Sequence, residues 1–151
     1  NDKSSILNIH TDTWSGDSPF EVVGWLPFVN CFKSKSMYIL PKNKRINEKI
    51  YSQVVNKKLK ISNKKLYEKL KKDLTWIHIN KGDMLIFNQN LFHGNIENKE
   101  KETRWSMNCR FKTLFSPYKQ KNIGEFFQPM NLKPATIDGL RYTEILENEN
   151  S

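Results

Sequence analysis

Arginine is scarce in this chain. Lysine and arginine together number 25 in 151 residues, yet the only arginines are Arg45, Arg104, Arg110 and Arg141. Lysine is a flexible point charge, whereas the planar fork of arginine suits two-point binding of a carboxylate. Any built anion site therefore has few positions to choose from. Cysteine is scarcer still. Cys31 and Cys109 are a single pair without metal-ligand spacing, which argues against a cysteine-based metal cluster and sets a reduced, cytoplasmic environment as the expectation. Long hydrophobic runs are also missing. The longest apolar stretch, Phe20 to Phe32, contains Glu21, Gly24 and Pro27 and is too short to span a bilayer. No signal-peptide pattern precedes it.

What is abundant is lysine. The formal charge is +9, the pI about 9.5 and the mean hydropathy −0.70. A basic surface invites a nucleic-acid reading, and the lysine run in Ser62 to Asp73 is its best candidate. That run carries no arginine, and its one aromatic, Tyr67, falls on the apolar stripe with Leu66 and Leu70. Base recognition needs cations interleaved with exposed aromatics. The segment therefore predicts an amphipathic helix capped by Ser62 or Asn63, with a solvated face and no specific nucleic-acid partner. At this length the chain predicts one domain over 1–151, large enough to bury roughly 68–70% of its extended surface.

Elsewhere the pattern is of short strands separated by turn signals. Ser5 to Asp12 reads as a strand, Phe20 to Phe32 as a buried strand pair, and Met37 to Leu40 as a short strand stopped by Pro41. Lys42 to Lys60 reads as a long lysine- and asparagine-rich excursion. Thr75 to Asn80 and Met84 to Phe87, joined at Lys81-Gly82-Asp83, predict a hairpin. A strand follows from Arg104 to about Phe115, then a short helix over Ile123 to Phe127 and a proline-punctuated tail with 143–151 disordered. Many short strands with one peripheral helix predict an all-β sandwich or barrel. The chain opens on Asn1 and runs almost directly into a strand, which points to missing N-terminal residues.

Two of these strands carry chemistry. Period-two alternation places His10 and Asp12 on one face of the first. On the last, Arg104, Ser106, Asn108 and Arg110 share one face, and Trp105, Met107, Cys109 and Phe111 share the other, which is expected to meet the core. His93-Gly94 lies between them in the chain. Two histidines and a carboxylate, with the second histidine distant in sequence, match the 2-His-1-carboxylate set that holds iron(II) and leaves positions open. A chelating dicarboxylate cosubstrate would need a cation at its far end. Arg104, eleven residues after His93, can supply it, and Ser106 can add a hydroxyl. His78 has no partner at ligand spacing and reads as structural.

These residues resemble the iron(II)/2-oxoglutarate oxygenases, and within them the phytanoyl-CoA dioxygenase-like group. The resemblance rests on His10-Thr11-Asp12, His93-Gly94-Asn95 and Arg104-x-Ser106, and extends to VVGWLPFVNCFKSKSMYILP. DTWSGDSPFEV, FHGN and FFQPMNLKPATIDGLRY bring it nearest the branch found in bacterial carbohydrate-biosynthesis clusters. The usual Pro-Gly-x-His after the Leu-Pro strand is absent, as are the N-terminal helices. The resemblance implies a double-stranded β-helix (jelly-roll, cupin-like) fold with Fe(II), 2-oxoglutarate and O2 as cofactor and cosubstrates. His10, Asp12 and His93 would be the metal ligands, with Trp25 and Asn95 beside the cosubstrate. It implies hydroxylation, because Asp12 occupies the position that a halogenase of this fold leaves to a small residue. For the substrate, the polar residues Trp14, Asn108 and Arg110 suit a sugar or glycosylated intermediate better than a long acyl chain. The rival readings are a metal-free jelly-roll module that binds sugars and a phytanoyl-CoA-like acyl hydroxylase.

Overall fold

In the computed structural model the described residues are 6–44, 62–117, 121–130, 133–139 and 141. The chain divides into two compact units, Asn1–Lys119 and Gln120–Ser151. Most of the expected excursion after Lys42, and the tail over 143–151, lie outside the described residues.

The first unit is built on two antiparallel three-stranded sheets. In chain order the strands are β1 (Glu21–Pro27), β2 (Tyr38–Ile39), β3 (Thr75–Trp76), β4 (Leu85–Asn88), β5 (His93–Gly94) and β6 (Ser106–Lys112). One sheet runs β4-β1-β6 and the other β3-β2-β5. The chain is thus mostly sheet, as its turn-punctuated pattern predicts. One helix, α1 (Asn63–Leu70), begins where expected: the Ser62 side chain accepts a hydrogen bond from the Lys65 backbone N–H and satisfies one of the helix's free donors.

Two apolar clusters result. Val23, Trp25 and Phe87 from the first sheet meet Ile39 from the second, together with Cys31, Met37 and Ile79, so this cluster draws on both sheets. Leu66 and Leu70 of α1 pack with Ile9, Tyr38, Leu40 and Phe92 in the other. Both cysteines are free. No helix among the described residues is long and apolar enough to cross a membrane.

Several local expectations fail, each for an identifiable reason. Thr75–Trp76 and Leu85–Asn88 are not a hairpin. The former pairs with β2 and the latter with β1, so the turn at Gly82 (φ 97°) carries the chain from one sheet to the other. Phe20 to Phe32 forms one strand rather than two, leaving Phe20 and Phe28 exposed, while Cys31 makes an isolated bridge to Ile79. The first expected strand is reduced to an isolated bridge between His10 and His93, and Asp12 opens a short 3-10 turn, Asp12–Ser15. In the second unit, Ile123 and Phe127 form an isolated bridge in place of the expected helix, and residues 134–139 are helical.

The largest reversal concerns β6. Its apolar side does not meet the core: Trp105 is 65% and Met107 43% exposed, beside Ile86 at 65%. The register explains why. Trp25 and Val23, whose side chains face the interior, stand opposite Asn108 and Arg110, so the polar residues of β6 share that inner face. The outer face of this sheet is therefore apolar and exposed.

Candidate metal centre

His10 and His93 are brought together by backbone pairing. The His10 N–H donates to the His93 carbonyl at 3.0 Å and the His93 N–H donates back at 2.9 Å. Residues exchanging both bonds across an antiparallel bridge present their side chains on the same side. Here the two imidazole centroids are 4.4 Å apart. Asn95 secures this pairing from two residues further along. Its amide oxygen accepts from the Leu7 N–H at 2.7 Å, and its own N–H donates to the Leu7 carbonyl at 2.9 Å. The segment carrying His10 is thereby fastened to β5.

Asp12 reaches the same point from the turn. Its N–H donates to the Gln89 carbonyl at 3.1 Å, and Gly16, in the left-handed region at φ 95°, closes the turn. One carboxylate oxygen, Oδ1, lies 3.4 Å from His10 Nε2 and 3.4 Å from His93 Nε2. One donor atom from each of the three residues falls within 4.8 Å of the others, so the group could hold a metal ion. Ligands at right angles on an ion, with bonds of about 2.1 Å, stand about 3 Å apart, so small side-chain movements suffice.

The chemistry of the donors fits that use. His10 Nδ1 faces the Asn8 carbonyl at 2.6 Å and His93 Nδ1 faces the Leu91 carbonyl at 2.9 Å. A ring nitrogen facing a carbonyl must carry the proton, so Nε2 is the nitrogen each ring turns toward Asp12, and an ion entering there would replace the proton that Nε2 shares with the carboxylate. Burial alone would depress the His10 pKa, but hydrogen bonds to Asp12 and the Asn8 carbonyl outweigh it, and the net shift is upward. For Asp12, burial opposes ionisation. Hydrogen bonds from His10, His93 and Arg110 override it and hold the carboxyl well below the usual range. Asp12 is therefore an anion ready to accept a cation.

A cavity of about 150 Å³ opens beside these three residues. One water needs roughly 10–15 Å³ on the same measure, so the space admits a small organic molecule. Trp25, Val23 and Phe87 form part of its apolar lining, and Asn95, Arg104, Ser106, Asn108 and Arg110 part of its polar lining. Nine of the ten residues selected from the sequence thus meet at one place. Trp14 is the exception; it packs edge-on against Phe92 with centroids 5.5 Å apart, beside the α1 cluster. His78, read from the sequence as structural, is exposed and lies outside this cavity.

The two cavity arginines differ in their electrostatic surroundings. Arg110 faces three carboxylates: its Nη2 is 3.2 Å from Asp12 Oδ2 and 3.3 Å from Asp17 Oδ2, and its Nε is 4.0 Å from Glu21 Oε2. Arg104 donates to the Ser36 carbonyl at 3.3 Å and, among the described residues, forms an ion pair with no carboxylate. Burial lowers its pKa, though a guanidinium remains charged throughout the physiological range. Its position is fixed by the loop ahead of β6. Lys35, fully buried, holds Glu102 at 2.5 Å, and the Ser34 hydroxyl donates to Glu100 at 2.9 Å.

Asp17 and Glu21 escaped the sequence reading as partners of Arg110. Glu21, a lone acid within an apolar run, was the available signal: a carboxylate only 1% exposed requires a cation nearby. Comparison of the chain with protein-family models, with curated proteins and with solved structures finds no match in any of the three.

Proposed function

We propose that this chain is an iron(II)/2-oxoglutarate oxygenase domain with a double-stranded β-helix architecture. The proposed reaction is hydroxylation of a small polar substrate, a sugar or glycosylated intermediate of carbohydrate biosynthesis. The observation that carries the reading is a pair: two histidine Nε2 atoms and a carboxylate oxygen facing one point, and a guanidinium in the same cavity that forms an ion pair with no carboxylate among the described residues.

In this reading His10, Asp12 and His93 hold the metal. Two neutral imidazoles and one carboxylate suit a divalent ion that must keep open positions. Iron(II) with 2-oxoglutarate and O2 supplies the oxidising chemistry when bound. Arg104 takes the distal carboxylate of the cosubstrate. A partly buried cation that has no anionic partner among the described residues favours such a ligand, and each charged hydrogen bond contributes about 1.5–3 kcal/mol. Ser106, two residues along the same face, adds a hydroxyl donor. Trp25, Val23 and Phe87 exclude water from one side of the cavity, while Ser106 and Asn108 are exposed at its rim, where a polar substrate would enter.

The test is iron-dependent release of succinate from 2-oxoglutarate in the presence of a panel of nucleotide sugars and glycosides, with fatty acyl-CoA esters as the contrasting set. Turnover stimulated by members of the sugar set is expected. Turnover confined to the acyl esters would overturn the substrate class, and succinate release unaffected by His93→Ala would overturn the metal assignment.

A further inference from the structure

Arg110 lies in the cavity but faces its carboxylates, and the division of the Asp12 carboxylate gives this arrangement a purpose. One oxygen, Oδ1, is 3.4 Å from both histidine Nε2 atoms, and the other, Oδ2, is 3.2 Å from Arg110 Nη2. We propose that Arg110 is a positioning residue of the metal centre, which reserves Oδ2 so that Asp12 offers the ion a single oxygen. Asp17 and Glu21 form the clamp that holds the guanidinium there. This inference rests on the reading of His10, Asp12 and His93 as metal ligands.

A carboxylate left to itself can bind a cation through one oxygen or both. Binding through both would occupy an additional coordination position and leave fewer for exogenous ligands. A guanidinium on Oδ2 opposes that mode by hydrogen bonding and by charge, since moving Oδ2 onto the ion would break its bond to Arg110. Such partners of a ligating side chain set its orientation and its affinity for metal.

The fold places Arg110 for this role. Arg110 stands opposite Val23 on β1, and Glu21, two residues earlier on β1, shares the inner face with Val23. The sheet register therefore sets Arg110 diagonally beside Glu21. Asp17 approaches from the loop that follows the Asp12 turn, with 4% exposure. Two carboxylates buried this deeply would be costly without a cation. They face the guanidinium that also holds Asp12, so Arg110 serves both. Lysine would not replace it, because its charge sits on one nitrogen, whereas the planar guanidinium sets Nη2 between Asp12 and Asp17 and spreads its charge over to Nε on the side of Glu21.

The experiment uses cobalt(II) as the probe, because its visible absorption reports coordination number and geometry without any turnover. Wild-type protein should bind one cobalt(II), and His93→Ala should abolish or strongly weaken that binding. Arg110→Gln should bind cobalt(II) roughly ten- to hundredfold more weakly and with an altered visible spectrum. Arg110→Lys should fail to restore the wild-type spectrum. Since Arg110→Gln leaves buried carboxylates unpaired, a triple variant with Asp17→Asn and Glu21→Gln removes charge and counter-charge together and should show the same spectral change. Wild-type affinity and spectrum in the triple variant would overturn the role of Arg110 while leaving the metal site intact. Absence of cobalt(II) binding by wild type, or binding indifferent to His93→Ala, would overturn the metal site itself and this inference with it.

Discussion

Arg104, just ahead of β6, and Arg110, on it, line the same cavity six positions apart, and their neighbours alone decide what each can do. Among the described residues, Arg110 is compensated by acids and Arg104 is not. In the proposed reading Arg104 is therefore the side chain that takes an exogenous carboxylate. Arg104→Lys keeps the charge but loses the fork, and should weaken 2-oxoglutarate binding by about tenfold, equivalent to roughly 1.4 kcal/mol. Metal affinity should remain near that of wild type. Calorimetric titration of the metal-loaded variant checks both, and normal 2-oxoglutarate binding would move the anion site elsewhere. Gly94 supplies a second residue-scale test. A Cβ at this position would sit 2.6 Å from the Tyr38 hydroxyl and 2.7 Å from the Leu7 carbonyl, so the glycine of the His-Gly pair is required by close approach. Gly94→Ala should cost about 1–3 kcal/mol in denaturant unfolding, as overpacking generally does. It should also weaken metal binding, because the backbone it displaces carries His93. An unchanged unfolding midpoint would contradict this.

At the scale of strands and helices, the sheet β4-β1-β6 has an inner and an outer face of unequal consequence. Trp25, 4% exposed, packs in the cluster shared by the two sheets and lines the cavity, whereas Trp105 is 65% exposed beside the outer face. Trp25→Ala should therefore destabilise the fold by about 3–5 kcal/mol. Trp105→Ala should change stability by no more than about 0.5 kcal/mol. Parallel chemical denaturation of the two variants decides the matter; equal losses would mean that the faces have been assigned wrongly. These assignments also mark how far the sequence could be read. His10-x-Asp12, His93 and Arg104 were legible because ligand chemistry and short spacing are local properties, although Asp12 reaches His10 from a 3-10 turn and not along a strand. The orientation of β6 was not, because a period-two pattern looks the same whichever face turns inward, and the apolar side was the natural choice for the core. The register against Val23 and Trp25 settles it. Nor does a turn signal at Gly82 reveal whether the next strand stays in its sheet, which is why a hairpin was expected where the chain changes sheets. The Asp17, Glu21 and Arg110 group was illegible for a related reason: ion pairs between residues some ninety positions apart leave no local pattern.

At the scale of the molecule, the proposed metal ion would join two distant parts of the chain. His10 and Asp12 precede both sheets in sequence, and His93 belongs to β5, with the two histidines already paired through their backbones. A ligand that binds only the folded state stabilises it by mass action, by about 2.7 kcal/mol at one hundred times its dissociation constant. Bound metal should therefore raise the unfolding midpoint in wild type and leave His93→Ala unmoved. The central claim is more specific: this group, together with Arg104, binds iron(II) and 2-oxoglutarate in one cavity. The most direct measurement is anaerobic titration of the protein with iron(II) and then 2-oxoglutarate, followed by visible absorption. The account predicts a weak charge-transfer band that appears only when both are present, saturates at one equivalent of iron and is absent in His93→Ala. No band in the wild-type protein, or an equal band in His93→Ala, would contradict it.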